Sequence, residues 1–165
     1  MPLLNNATTR LTIFVDGGTA GGTHTGIAAV ARSHQGYFLG WESRQLPPMS
    51  NNEAEYKAAL LGLELARQLH AATCEIVSDS EILVNQMRGR SRVNSPHLQP
   101  LHQQLCHQAA YFHQVSFRYV PRAENQLADA LAAEALRGRC VSLRPGHTRR
   151  LTAWLRTLSL SRKLL

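Results

Sequence analysis

Residues 10–18 read RLTIFVDGG, and this stretch decides the fold. Residues 10–16 alternate loosely and are rich in β-formers, which predicts a strand. The strand is expected to end at Asp16, because Gly17-Gly18 and then Gly21-Gly22 follow, and clustered glycines mark turns. Working outward, residues 25–32 (TGIAAVAR) and 37–43 (YFLGWES) predict two further strands. The hairpin-sized connection Ser33-His34-Gln35-Gly36 lies between them. The first three strands are therefore expected to form an antiparallel meander.

Pro47-Pro48 break the chain, and Ser50 or Asn51 caps a helix with Glu53 in its first turn, where the helix dipole favours an acid. Ala54, Ala58, Leu61, Leu65 and Leu69 then recur at helical spacing. Residues 74–78 (CEIVS) predict a short strand ending at Asp79, and residues 80–87 a short helix. A basic loop, Arg88-Gly89-Arg90-Ser91-Arg92, leads to a helix that starts at Asn94 or Ser95 with Pro96 and runs to about residue 112. Residues 115–120 (VSFRYV) alternate as a strand that Pro121 stops, and residues 123–137 form an Ala/Leu-rich helix. The order β-β-β-α-β-α-α-β-α, without repeats, predicts an α/β layer fold. Its mixed five-stranded sheet has three meander strands plus two parallel strands, with helices packed on it.

The 165 residues amount to one ordinary domain, with 44% hydrophobic and 18% charged side chains. No apolar run reaches the length of a membrane span, and the first ten residues do not read as a secretory signal. Cys74, Cys106 and Cys140 are odd in number and form no C-x-x-C pair, which fits a reducing cytoplasm better than a disulfide framework. His97, His102, His107 and His113 recur five or six residues apart and do not converge on one helical face, so histidine ligation of zinc is not expected. The net charge of +7 is uneven. Residues 1–136 hold ten Lys/Arg against eleven Asp/Glu, whereas residues 137–165 hold eight Lys/Arg and no acid. A basic tail suits a polyanion partner, and equally a solvated end.

The acids fall at particular places. Asp16 and Asp79 end strands, Glu55 lies in the first turn or so of the long helix, and Asp129 is near the start of the last helix. Parallel central strands would bring Asp16 and Asp79 to one rim, where α/β proteins place their sites. Helices starting at that rim can add Glu55 and Asp129. Clustered carboxylates repel unless a cation sits among them, and oxygen-only ligands suit Mg²⁺ or Mn²⁺. Each acid alone has an ordinary reading as a turn, cap or surface residue.

Four blocks in order carry a resemblance: IFVDGG (13–18), SNNEAEYKAALLGL (50–63), VSDSE (77–81) and YVPRAENQLADALA (119–132). Together they resemble the ribonuclease H family, type 1, over about residues 10–137. The resemblance implies a ribonuclease H-like catalytic domain over residues 8–137. It implies an endonuclease that hydrolyses the RNA strand of RNA–DNA hybrids, with two Mg²⁺ or Mn²⁺ ions held by Asp16, Glu55, Asp79 and Asp129. The products would carry 3′-hydroxyl and 5′-phosphate ends. It further implies nucleic-acid contacts at Gly17, Gly18, Ser50, Asn51, Asn52, Ser80, Arg122 and Asn125, with Asn52 and nearby main chain reading the RNA 2′-hydroxyl.

Three features depart from the family pattern. The loop Pro121–Asn125 is short and lacks the histidine many members carry, which leaves Arg122, Glu124 or no residue at all to assist product release. The basic protrusion of some members is absent, with Arg88, Arg90 and Arg92 as a partial replacement. Glu81 stands where relatives often have a neutral residue. The tail, residues 138–165, places Leu151, Trp154, Leu155 and Leu158 on one helical face, the pattern of an amphipathic helix. Its Arg144, Arg149, Arg150 and Arg156 are expected either to tether the hybrid or to flank a docking helix. A cytoplasmic enzyme without a membrane partner is expected, with a monomer favoured. The competing readings are a nuclease of the same fold acting on RNA duplexes or junctions, and a non-catalytic hybrid-binding module.

Overall fold

The computed structural model describes residues 10–143. Strand β1 (Arg10–Ala20) lies at the centre of a six-stranded sheet. It pairs antiparallel with β2 (His24–Ser33), which pairs antiparallel with β3 (Phe38–Leu46). On its other side β1 pairs parallel with β4 (Thr73–Ser78), and β4 pairs parallel with β5 (Gln114–Tyr119). A short strand β6 (Ser142–Leu143) adds to the free edge of β3, giving the order β5-β4-β1-β2-β3-β6.

Two expectations are corrected here. The sheet has six strands rather than five, and residues 142–143, expected within the tail, form the sixth. The amide of Ser43 donates to the Val141 carbonyl, the Val141 amide donates to Ser43 Oγ at 2.9 Å, and Val141 and Leu143 pack against the core. A two-residue strand is too short to show a period, so only pairing reveals it. The first strand also does not end at Asp16. Gly17 and Gly18 continue the ladder opposite Ile27 and Gly26, and the turn falls at Gly21-Gly22, both with positive φ. The reverse turn needs only the second glycine pair; the first serves close packing, described below. The expected tail helix, with Arg144, Arg149, Arg150, Arg156 and the Leu151, Trp154, Leu155 and Leu158 face, lies outside the described residues.

Helix α1 (Asn51–Gln68) begins at a capping box. The Glu53 amide donates to Ser50 Oγ at 3.3 Å, and the Ser50 amide donates to Glu53 Oε2 at 2.9 Å. Ser50 is therefore the cap, and half of the eighteen helical residues are buried against the sheet. Leu11, Ile13 and Val15 of β1 point into this layer with Ala58, Leu61 and Leu65. Helix α3 (Leu98–Ala109) adds Leu98, Leu101 and Leu105, and α2 (Glu81–Met87) adds Leu83 and Val84. On the opposite face α4 (Gln126–Leu136) lays Leu127, Ala128, Leu131 and Ala132 over Ala28, Val30 and Trp41. With helices on both faces, β2 is buried over seven consecutive residues, where a one-sided strand would alternate.

α4 starts three residues later than expected, because Arg122–Glu124 form a single 3₁₀ turn after Pro121. Among the described residues no helix is long and apolar enough to cross a membrane.

Candidate active site

The parallel pairing of β1 with β4 brings the carboxyl ends of both strands to one rim of the sheet. Asp16 is on β1, two residues beyond its last pairing with β4 at Phe14, and Asp79 follows β4 directly. Helix α1 supplies Glu55, one residue past its first turn. Carboxylate oxygens of Asp16, Glu55 and Asp79 all lie within 4.8 Å of one another. α4 crosses the same rim, and Asp129 lines the same cleft, together with Gly17, Gly18, Thr19, Asn51 and Arg122. The fourth acid is thus at the site, but its Oδ1 is engaged by the Arg122 guanidinium at 2.7 Å.

Three carboxylates so close together are costly to ionise. At an effective dielectric near 20, each like-charged pair at this separation repels by about 3 kcal/mol. Asp16 is only 7% exposed. Burial, followed by the charges of Asp79 and Asp129, pushes its carboxyl up to about 8. Burial, followed by Asp16 and Asp79, pushes Glu55 up to about 9, against hydrogen bonds from the Gly17 main chain and the Ser78 side chain. At neutral pH the cluster therefore holds protons that a cation would displace. The donor set consists of carboxylate oxygens alone, which fits Mg²⁺ or Mn²⁺ and not a thiolate or imidazole metal.

Glycines make the convergence possible. A Cβ on Gly17 would overlap the carbonyl group of Ala54 and stand 2.9 Å from the Glu55 nitrogen. The first turn of α1 thus rests directly on the β1 backbone. A Cβ on Gly26 would overlap the Ala132 carbonyl oxygen, so α4 sits equally close to β2. These two glycines let the helices bring Glu55 and Asp129 to the sheet's rim.

The structure sorts the other residues expected to contact nucleic acid. Gly17, Gly18, Asn51 and Arg122 line the acidic cleft. Asn51 Oδ1 accepts the Thr19 hydroxyl at 2.7 Å, tying the helix start to β1. Asn52 borders a neighbouring cavity with Glu81, Ile82 and Asn85 instead. Ser50 and Ser80 cap α1 and α2, Ser80 Oγ accepting the Leu83 amide at 3.3 Å. Arg90 and Arg92 are exposed on the loop after α2, and neither lines the cleft. Arg88 does not line it either, and its Nε donates to the Phe117 carbonyl at 2.7 Å. That bond pins the end of α2 to β5 and reduces the reach of Arg88 to a phosphate.

Asn125 is a correction. It is 1% exposed, so it does not present its side chain to a duplex. A loop position before a helix gives no sign of this burial in the sequence. Ser78 is a residue the sequence reading missed. It is fully buried, its Oγ accepts the Ser80 amide at 3.0 Å, and it reaches Glu55 Oε2 at 3.5 Å. Its only sequence signal was its place directly before Asp79.

A family model described as reverse transcriptase-like matches residues 14–135. The chain belongs to the ribonuclease H family. Among curated relatives of this ribonuclease H chain, the bifunctional protein Rv2228c of Mycobacterium tuberculosis is 35% identical over 129 residues, 77% of this chain and 35% of that protein. Ribonuclease HI of Halobacterium salinarum is 37% identical over 87 residues, 53% of this chain and 44% of that protein. The chain therefore aligns with less than half the length of either relative. Among solved structures, the N-terminal ribonuclease H domain of Rv2228c superposes with a TM-score of 0.76 at 32% identity, covering 80% of this chain and 96% of that one. LC11-RNase H1, solved in complex with an RNA/DNA hybrid, superposes with a TM-score of 0.73 at 30% identity, covering 78% and 97%.

Proposed function

We propose that this chain is a divalent-metal-dependent ribonuclease H that hydrolyses the RNA strand of RNA–DNA hybrids and leaves 3′-hydroxyl and 5′-phosphate ends. One observation carries the reading: the oxygens of Asp16, Glu55 and Asp79 lie within 4.8 Å of one another at an open rim of the sheet. Asp16, Glu55, Asp79 and Asp129 would hold two Mg²⁺ or Mn²⁺ ions. When bound, such ions neutralise the acids, activate water and stabilise the leaving oxygen of a phosphodiester.

The chain's own groups do the rest. Glu55, held from the β1 side by the Gly17 main chain, and Asp16 define where a phosphate group can sit. The Gly17–Gly18 backbone and Asn51 form the wall of the cleft against which the RNA strand lies. Arg122 lines the same cleft, beside Asp129. The bond to that carboxylate, first, and the charge of Asp129 raise the Arg122 guanidinium above its ordinary range. It therefore acts as a fixed positive charge that can attract the 5′-phosphate of a departing product, not as a proton carrier. Hybrid shape is recognised through backbone contacts, so weak sequence preference follows.

The test is a cleavage panel with labelled RNA–DNA, RNA–RNA and DNA–DNA duplexes, each with Mg²⁺, Mn²⁺ or chelator. The expected result is metal-dependent cutting of the RNA strand in the hybrid alone, lost in Asp16→Asn. Preferred cutting of RNA duplex would replace the substrate assignment. Binding of hybrid without cutting under any metal would make the chain a hybrid-binding module.

A further inference from the structure

Asn125 makes two side-chain hydrogen bonds from one nitrogen. Its Nδ2 donates to the Val15 carbonyl at 2.9 Å and to Asp79 Oδ1 at 3.2 Å. Val15 immediately precedes Asp16 on β1, and Asp79 directly follows β4. The main chain of Asn125 belongs to a third element: its carbonyl accepts the Asp129 amide at 3.1 Å, the first turn of α4. One residue therefore joins the carriers of three of the four acids.

The chemistry of this position is narrow. Both partners are acceptors, so the amide must present its NH₂ group to them, and a flipped amide would aim oxygen at oxygen. A hydroxyl has one hydrogen and cannot serve both. A carboxylate of the same shape would face two acceptors with no donor. The bonds are also not those of a helix cap, since Asn125 makes no side-chain cap bond although it stands at the N-cap of α4. Its Oδ1 is buried and has no partner among the described residues, so both polar contacts of the side chain go toward the acid cluster.

We propose that Asn125 is a positioning residue that holds the Asp79 carboxylate against β1 beside Asp16 and so sets the spacing of the metal-binding acids. It acts through Asp79 and touches neither substrate nor metal. The inference rests on the metal-site reading given above. Its consequence is that affinity for the metal alone, in the absence of nucleic acid, depends on a residue that is not a ligand.

The experiment is calorimetric titration of Mn²⁺ into the wild-type chain, Asn125→Ala and Leu105→Ala, with thermal unfolding of each. Leu105 is a buried residue of α3, which carries none of the four acids. Asn125→Ala is expected to weaken Mn²⁺ binding by roughly 10–100-fold, the usual effect of removing a group that orients a metal ligand. Leu105→Ala is expected to lower the unfolding temperature while leaving Mn²⁺ affinity within about twofold. If Asn125→Ala does not fold, Asn125→Leu, of similar size and without a donor, carries the same comparison. Wild-type Mn²⁺ affinity in the folded Asn125 variant overturns the inference and leaves the metal site standing. Failure of the wild type itself to bind Mn²⁺ overturns both.

Discussion

Gly17→Ala tests how the site is assembled, because glycine is required there by contact and not by a turn. An alanine Cβ would overlap the Ala54 carbonyl group and stand 2.9 Å from the Glu55 nitrogen. Ordinary separations near 3.5 Å are restored only by moving the first turn of α1 away from β1 by on the order of 1 Å. The obstacle is backbone, so no side-chain rotation relieves it. Overpacking of this kind costs about 1–3 kcal/mol, a fall in unfolding temperature of roughly 3–10 °C. The same displacement carries Glu55 away from Asp16 and breaks its hydrogen bond from the Gly17 main chain. A misplacement of about 1 Å in a positioned group costs on the order of 100-fold in rate. Hybrid cleavage under saturating Mg²⁺ should therefore fall about 100-fold, in a protein that still unfolds cooperatively. Cleavage within about twofold of wild type, with an unchanged unfolding temperature, would show that α1 does not rest on β1 as described.

Three further predictions concern charge. Without metal, Asp16 and Glu55 keep protons in the fold up to about pH 8 and 9, against ordinary values of 3.8 and 4.5. Their contribution to stability is complete below about pH 4, declines as pH rises above it and is lost as pH passes through 8 to 9. Thermal unfolding in chelator should show this decline and in saturating Mn²⁺ a flatter profile; equal slopes would refute it. Arg122→Ala should change stability by under about 1 kcal/mol, since the side chain is 76% exposed, yet slow hybrid turnover by roughly 10–100-fold, with Arg122→Lys largely rescuing it. Unaltered turnover would remove Arg122 from the site. Arg88→Ala should lower the unfolding temperature, because its bond to the Phe117 carbonyl is lost. Arg90→Ala and Arg92→Ala should instead weaken hybrid binding more at low salt than at high salt, by about tenfold or less each. The reverse pattern would mean that Arg88 is the one reaching phosphate.

Much of this chain was legible in its residues. The period-two run at 10–16 and the helical spacing of Ala54, Ala58, Leu61 and Leu65 name their elements, because a buried face must repeat with the period of the backbone that carries it. The capping box at Ser50 and Glu53 is local chemistry and can be read locally. The four acids were also visible, although Asp16 lies within its strand and not at its end, since the parallel pairing of β1 with β4 stops just before it and opens the rim there.

Other features depend on neighbours distant in sequence. Strand β6 exists only because the β3 edge is available to pair Ser142 and Leu143. Gly17 read as the start of a turn, whereas its strand continues and α1 packs onto it. Asn125 read as a residue for the duplex, and burial turned its amide inward to Val15 and Asp79. The sequence by itself determined the elements, the acids and the family resemblance, because these follow from short-range periodicity and from blocks of adjacent residues. Only the tertiary structure decided which groups face solvent and which hold the acids in place, because that depends on side-chain and main-chain groups meeting across 46 to 110 positions of chain.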